Sequence, residues 1–218
     1  MAPANVISLD EERLLRVYDR IGNIIVDYIN DMDLILEIEK AREVYFGNYT
    51  DLIDFCKPNI GYKPFIQWLI FSYKLNSGYS LIDCIYKNYI NKLNNYERDA
   101  LASLMTTCES LYKVYSLEED RIMVKDVLTN KKIYIWNNTL INNVKRYTGL
   151  FMRIVTINNK NIPIPGYSVM SNSFLKDTEQ YIQERYEEFK SFNKGSSIHS
   201  FLNSNSLMMH RYFLHYNI

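Results

Sequence analysis

Residues 121–136 read Arg121-Ile-Met-Val-Lys-Asp-Val127, then Leu128-Thr-Asn-Lys-Lys132, then Ile133-Tyr-Ile-Trp136. The first and last segments are rich in the β-branched and aromatic residues that are typical of strands. Between them, the residues from Thr129 to Lys132 have the composition of a turn. This part of the chain therefore predicts two neighbouring strands of a meander.

Further short strands flank this pair. The segment Tyr112–Tyr115 leads into it, and residues 150–157 form another predominantly apolar run. Asn158-Asn159 is a predicted tight turn, and residues 161–164 form the predicted strand that follows it. Short strands at this spacing predict a small antiparallel β-barrel or curled sheet over about residues 112–165.

Helical periodicity surrounds the predicted strands. Ser8 and Glu11 form a capping-box pattern, and apolar residues recur behind them at helical spacing. The predicted helices cover about residues 10–29, 32–46, 49–56, 64–75, 80–93, 95–112, 173–189 and 198–215. The expected fold class is therefore α+β. We expect a helical region over 1–111, a small basic β-barrel over 112–168 and a C-terminal helical region over 169–218, which can pack as one unit.

Composition indicates an ordered, globular chain. Of the 218 residues, 47% are hydrophobic and 23% are charged, which is close to the average for soluble proteins. The N-terminus has no secretory signal pattern, and no run of about 20 apolar residues would span a membrane. Cys56, Cys84 and Cys108 are widely spaced and form no C-x-x-C pair, so no zinc motif is expected. We therefore expect a cytoplasmic protein without a membrane partner.

The net charge of zero hides an asymmetry along the chain. Residues 8–54 contain twelve acidic and five basic side chains, whereas residues 121–160 contain eight basic side chains and one aspartate. Cations neutralise phosphates, and exposed aromatic rings stack on bases. The sequence therefore predicts a non-enzymatic module that binds nucleic acid or a nucleoprotein assembly. Its candidate contacts are Lys131, Lys132, Lys145, Arg146, Arg153, Trp136 and Tyr147.

Other interpretations of the same asymmetry stay open. The acidic N-terminal helices can act as an adaptor surface that docks a basic partner protein, or a second copy of the chain packing head to tail. They can instead cover the basic sheet of the same chain. Strand lysines also protect sheet edges from aggregation, in which case the aromatic residues belong to the core. The choice depends on whether the basic side chains gather on one open face.

Signals for catalysis are weak in this sequence. His199 and His210 are eleven residues apart and can share a face of one helix, whereas His215 is poorly spaced to join His210. Together with carboxylates from other parts of the chain, these histidines would form a metal site. A metal-dependent hydrolase is therefore the third hypothesis. Asp27 and Asp31 lie one helical turn apart, but their context favours a helix break and a cap. No phosphate loop, nucleophile elbow or H-E-x-x-H motif occurs, so we expect neither an enzyme nor a bound cofactor or metal.

A family resemblance extends over about half of the chain. It rests on Phe65-Ile-Gln-Trp68, Asn95-Tyr-Glu-Arg-Asp-Ala-Leu101, Leu111-Tyr-Lys-Val114, Val124-Lys-Asp-Val-Leu-Thr-Asn130 and Met152-Arg-Ile-Val155. In this order the segments resemble uncharacterised bacterial proteins, many of which end in a SEC-C zinc motif. The resemblance implies helices, a small β-barrel and further helices, with no established catalytic residues. This sequence departs from the pattern twice: Asn130 replaces a glycine, whose left-handed turn conformation asparagine tolerates, and no cysteine of a zinc-binding tail follows Cys108.

Overall fold

The computed structural model describes residues 9–47, 62–136, 140, 144–145, 148–157 and 159–217. Within these ranges the helices are α1 (Leu9–Asp31), α2 (Ile35–Phe46), α3 (Tyr62–Phe71), α4 (Leu81–Tyr89), α5 (Asn95–Met105), α6 (Asn172–Phe192), α7 (Ile198–Ser204) and α8 (Ser206–Asn217). The strands are β1 (Glu109–Leu117), β2 (Ile122–Asp126), β3 (Lys132–Ile135), β4 (Gly149–Ile157), β5 (Lys160–Pro163) and β6 (Ser168–Met170). The predicted α+β class is confirmed. Among the described helices, none has the length and apolar character needed to cross a membrane.

Capping boxes begin two of the N-terminal helices. The Ser80 hydroxyl accepts from the Asp83 amide and the Asp83 carboxylate accepts from the Ser80 amide, which fixes the start of α4. Asn94 and Glu97 make the same pair of hydrogen bonds at the start of α5. The Glu97 carboxylate also lies 2.8 Å from the Arg20 guanidinium, so the box that begins α5 holds α1 as well.

The six strands form one mixed sheet that curls into a ring. β1 pairs antiparallel with β4 through its first half and with β2 through its second half, and β2–β3 and β4–β5 are also antiparallel. The described residues join β3 to β5 through one parallel pair, Ile135 with Asn161. β6 lies along the edge of β4 opposite β1, because Leu150 pairs with both Tyr112 and Val169. A join this narrow does not make a true barrel, so the curled-sheet form of the prediction is confirmed and the barrel form is wrong.

The interior of the ring is an apolar core. Alternate strand residues point inward, among them Val114, Val124, Ile135 and Leu150. The outward residues of β4 are buried too, because helices cover that side of the ring: Phe151 packs in a cluster with the C-terminal helices, and Val155 in one with the N-terminal helices. β4 is therefore covered on both faces.

Helix α8 connects the two ends of the chain. Leu214 is buried against Tyr45, Phe65 and Trp68 of the N-terminal helices, whereas Phe213 lies 4.8 Å from Phe151 in ring-centroid distance. The Arg211 side chain donates to the backbone carbonyls of Val44 and Tyr45 at the end of α2. The last helix thus completes two separate clusters.

Some predicted boundaries are wrong, and the reasons differ. The helix predicted to reach Tyr112 ends at Met105, because Leu111 and Tyr112 belong to β1 and pair with β4. The last predicted helix is two helices that meet at Asn205, whose side-chain amide donates to the Phe201 carbonyl at 2.9 Å. Strand β6 was not predicted, and the predicted helix over 49–56 lies outside the described residues. At the end of α5, the apolar residues are spaced as in a helix, but they form a strand because β4 pairs with them.

Candidate nucleic-acid interface

Three lysines form a row across the first three strands. In the register of the sheet, Lys113 of β1 lies directly opposite Lys125 of β2, and Lys125 lies directly opposite Lys132 of β3. Residues directly opposite each other share one face of a sheet, with strands about 4.8 Å apart. The three side chains therefore leave the sheet on the same outer face of the ring, and we call these residues the lysine row.

Aromatic side chains lie beside the lysine row on the same face. The Lys132 ammonium lies 5.1 Å from the ring centroid of Tyr115, and the Arg121 guanidinium lies 4.3 Å from that of Tyr134. The rings of Tyr134 and Trp136 are 6.4 Å apart and tilted by 54°. All three rings are half-buried, so part of each remains open to solvent. Cations and aromatic faces thus alternate over β1, β2 and β3.

The cations of this face differ in whether they form ion pairs. Among the described residues, Lys125, Lys131 and Lys132 form no ion pair, whereas Arg121 pairs with Glu118 at 2.6 Å. The acidic helices pack elsewhere: α1 contacts α4 and α5, and α2 contacts α3 and α8. This packing argues against the interpretation in which the acidic helices cover this face of β1, β2 and β3.

Edge protection does not account for Lys125 either. Lysines protect strands that have an unpaired side. Lys125 lies on β2, which is hydrogen-bonded to β1 on one side and to β3 on the other. Like charges directly opposite each other destabilise a sheet, so the row carries a cost that the fold does not require.

The predicted contact residues are distributed unevenly. Lys131, Lys132 and Lys145 are exposed, and Trp136 is half-buried. Lys131 lies in the turn before β3, and the Lys145 amide donates to the Thr148 hydroxyl ahead of β4. Arg146 and Tyr147 lie outside the described residues.

Arg153 does not lie on this face, and its prediction as a surface contact is wrong. Its side chain is 3% exposed, because it points from β4 towards the covering helices. It donates to the Thr107 carbonyl at 2.6 Å and lies 3.8 Å from the Glu109 carboxylate. Its guanidinium carbon stacks 4.7 Å from the centroid of Phe71. Burial lowers the pKa of Arg153, against the opposing effect of Glu109.

Sequence reasoning missed two members of the interface. Lys113 and Lys125 were not among the predicted contacts, although both lie in strand segments with alternating character. The signal that finds them is the register: a lysine on each of three neighbouring strands, at positions that pair. Register is decided by long-range pairing, so it was not readable from spacing alone.

The histidines contact separate carboxylates. His199 Nε2 lies 3.8 Å from Asp126 Oδ2, and the buried His210 Nε2 lies 3.0 Å from Glu109 Oε1. The Asp126 carboxylate raises the pKa of His199 to about 10, with a further contribution from Cys108. The break between α7 and α8 separates His199 from His210, so they do not share one helical face as predicted. Within the described residues, no group of three or more His, Cys, Asp or Glu side chains could hold a metal ion.

Comparison with known proteins places the chain in a family without assigning it an activity. No curated protein and no solved structure matches it. A family model described as a family of unknown function, DUF7986, matches residues 13–210, which include all the described strands and most of the helices. The chain therefore belongs to the DUF7986 family.

Proposed function

We propose that this protein is a non-enzymatic module that binds single-stranded nucleic acid through the lysine row and the aromatic rings beside it. The observation that carries the proposal is the alignment of Lys113, Lys125 and Lys132 on one outer face. A row of cations follows a phosphate backbone, and exposed rings stack on unpaired bases of any sequence. Half-exposed Tyr134 and Trp136 suit stacking of this kind.

A fold-level analogy supports the choice of a single strand. Partly open five-stranded Greek-key sheets of the OB type bind oligonucleotides on the face of their second and third strands. Strands β1–β5 here form a similar partly open ring, and Lys125 and Lys132 lie on its second and third strands. This likeness is one of architecture, whereas the proposed binding depends on the side chains of the face.

The test is binding of a fluorescein-labelled oligothymidylate, measured by anisotropy over a range of salt concentrations. Each phosphate neutralised in a single strand contributes about −0.7 to the slope of log K against log salt, so three lysines predict roughly −2. The double variant Lys125→Glu with Lys132→Glu should weaken binding and flatten this slope. The matched control is Lys176→Glu with Lys194→Glu, two exposed lysines outside the sheet. Equal affinity of the two double variants would overturn the proposal.

A second measurement, of tryptophan fluorescence, tests whether bases stack on the aromatic rings. The protein has two tryptophans, and Trp68 is 4% exposed, so added oligonucleotide should quench the fluorescence of Trp136. Trp136→Phe should remove the quenching, and Trp136→Ala should weaken binding by about 1–3 kcal/mol because it removes the stacking ring. Quenching that survives in Trp136→Phe would contradict the proposed stacking.

The alternative proposal is a protein–protein contact made by the acidic helices α1 and α2. It is supported by three apolar side chains exposed where these helices join: Met32, Ile35 and Leu36, the last 69% exposed. A second copy could place its lysine row against the neighbouring acidic side chains. Leu36→Glu should then reduce self-association in sedimentation velocity and leave oligonucleotide binding intact, whereas a monomeric wild type would contradict a contact between two copies.

We also propose a cytoplasmic location. Cys84 and Cys108 are free thiols, as is usual in a reducing compartment. Fractionation of the native host with a specific antibody would test this.

A further inference from the structure

A cavity of about 330 Å³ lies where the helical regions meet the sheet. It is bounded by the connection from α3 to α4, the end of α5, the end of α7 and the outward side of β4. Cavities of this size, at the junction of structural units, commonly hold small ligands. The cavity is separate from the lysine row, since no residue of that row lines it.

Arg153 lines this cavity with an incomplete set of hydrogen bonds. Its Nη1 donates to the carbonyl and to the hydroxyl of Thr107, at 2.6 and 3.3 Å. Its Nη2 lies 3.8 Å from Glu109 Oε2, which is too long for a hydrogen bond. Its Nε has no hydrogen-bond partner among the described residues. A guanidinium that is 97% buried normally has its donors satisfied, so this one lacks an acceptor.

Glu109 is a loose counter-ion for Arg153, because its Oε2 has no hydrogen-bond partner among the described residues and stays 3.8 Å from Nη2. Its other carboxylate oxygen contacts His210 Nε2 at 3.0 Å, which is the closer of its two basic neighbours. The carboxylate is thus shared between a histidine and an arginine, and it approaches the guanidinium loosely. An additional anion with two oxygens would match the planar fork of Arg153.

The remaining polar groups of the cavity suit an anion. Lys74 stands at the mouth with 58% of its side chain exposed. Hydroxyl and amide donors are supplied by Ser72, Asn203 and Ser204. Asp83 also lines the cavity, but its carboxylate already accepts from Lys74 and from the amide and hydroxyl of Ser80. The cavity therefore presents one buried cation, one cation at its mouth that is paired with the Asp83 carboxylate, and several neutral donors.

We propose that this cavity binds a small organic anion whose carboxylate or phosphate group is held by Arg153, with Lys74 at the entrance. The rival explanation is structural: Arg153 does no more than tie β4 to Thr107 at the end of α5. The two explanations differ in what happens when an anion is added, since a ligand that binds the folded state raises the melting temperature in a saturable way.

The test is a titration of the full chain at low salt with inorganic phosphate and, separately, with succinate. Saturable stabilisation by one of them, confirmed by calorimetry, supports the proposal and identifies the anion class. Arg153→Lys should weaken that binding roughly tenfold or more, because an ammonium lacks the planar fork. Asn203→Phe should weaken it too by narrowing the mouth, and Asn203 is exposed, so this variant is informative even where Arg153→Lys does not fold.

The controls separate this proposal from nucleic-acid binding. Lys125→Glu with Lys132→Glu should leave the stabilisation by phosphate or succinate unchanged, and Lys194→Gln should do the same. The proposal is overturned if neither anion stabilises the protein saturably, or if Asn203→Phe binds as the wild type does.

Discussion

Asn130 shows how a single residue defines the turn between β2 and β3. Its φ is +62°, in the left-handed region that asparagine tolerates better than most residues, as the sequence indicated. The turn also depends on Asp126, whose carboxylate accepts from the amides of Leu128 and Thr129. Together they hold Lys131 just before β3, beside Lys132 of the lysine row.

The first prediction concerns this turn. Asn130→Val should destabilise the fold by about 1–2 kcal/mol, because a β-branched residue is strained at positive φ. Asn130→Gly should be close to neutral, since glycine adopts this conformation without steric cost. Urea unfolding followed by circular dichroism measures both variants. Equal stabilities of the two variants would show that backbone strain does not govern the turn.

A second prediction follows from His199 and Asp126. Asp126 raises the pKa of His199 to about 10 from an ordinary value of 6.5. A group whose pKa is higher in the folded than in the unfolded protein adds its full stabilisation when the pH is below the unfolded-state pKa. For His199 this stabilisation is lost as pH rises from about 6.5 to about 10. Burial acts to raise the pKa of Asp126, but His199 and Ser110 hold it below its usual range, so that contribution is lost as pH falls.

His199→Gln should therefore flatten the decline of stability above neutral pH. The measurement is the free energy of unfolding from pH 6 to pH 10, with Cys108 present in every variant because it also faces His199. Ser200→Gln, an exposed change on the same helix, is the control and should keep the wild-type profile. A decline that is identical in His199→Gln and in wild type would remove this pair as its cause.

At the scale of elements, the first three strands combine a stabilising inner face with a costly outer one. Val114, Val124 and Ile135 fill the ring, whereas the lysine row places like charges opposite each other. Such pairs cost stability, and natural proteins keep this kind of local conflict mainly where function needs it.

The third prediction follows from that conflict. Lys125→Thr should raise the stability of the fold by about 0.2–1 kcal/mol, because it removes two like-charge contacts and adds a residue with high strand propensity. The same change should weaken oligonucleotide binding. Lys131→Thr, in the turn and outside the row, should leave stability within about 0.5 kcal/mol of wild type. A loss of stability in Lys125→Thr would mean that Lys125 supports the sheet.

The elements were predictable to different degrees. The strands from β2 to β5 were found within a few residues, because their apolar runs are bounded by turns at Asn130 and Asn159, both with positive φ. The end of α5 was misplaced. Leu111 suits a helix locally, but it belongs to β1 because it pairs with a residue of β4. β6 has three residues, too few for a periodic signal.

At the scale of the whole molecule, the ends of the chain depend on each other. α8 supplies Leu214 to the cluster of α2 and α3, and Phe213 to the cluster around β4 and α6. The N-terminal helices therefore lack part of their core without the last helix, although the sequence suggested three successive regions.

The fourth prediction tests this dependence. Leu214→Ala should cost about 2–5 kcal/mol, because the side chain is 1% exposed and leaves a cavity. In a Trp136→Phe background, where fluorescence reports Trp68 alone, unfolding should stay a single transition in which fluorescence and circular dichroism coincide. Leu36→Ala, at an exposed position on α2, should change stability by less than about 0.5 kcal/mol. Separate transitions for the two probes would contradict the interdependence of the ends.

The sequence by itself determined the fold class, the position of the strands and the accumulation of cations in one segment, because alternation and turn composition are local properties. Tertiary structure alone decided which cations become neighbours. Lys113, Lys125 and Lys132 are aligned by register, which pairs residues far apart in the chain. Arg153 comes from the same basic segment but is buried, because helices from both ends of the chain cover its strand on the outward side.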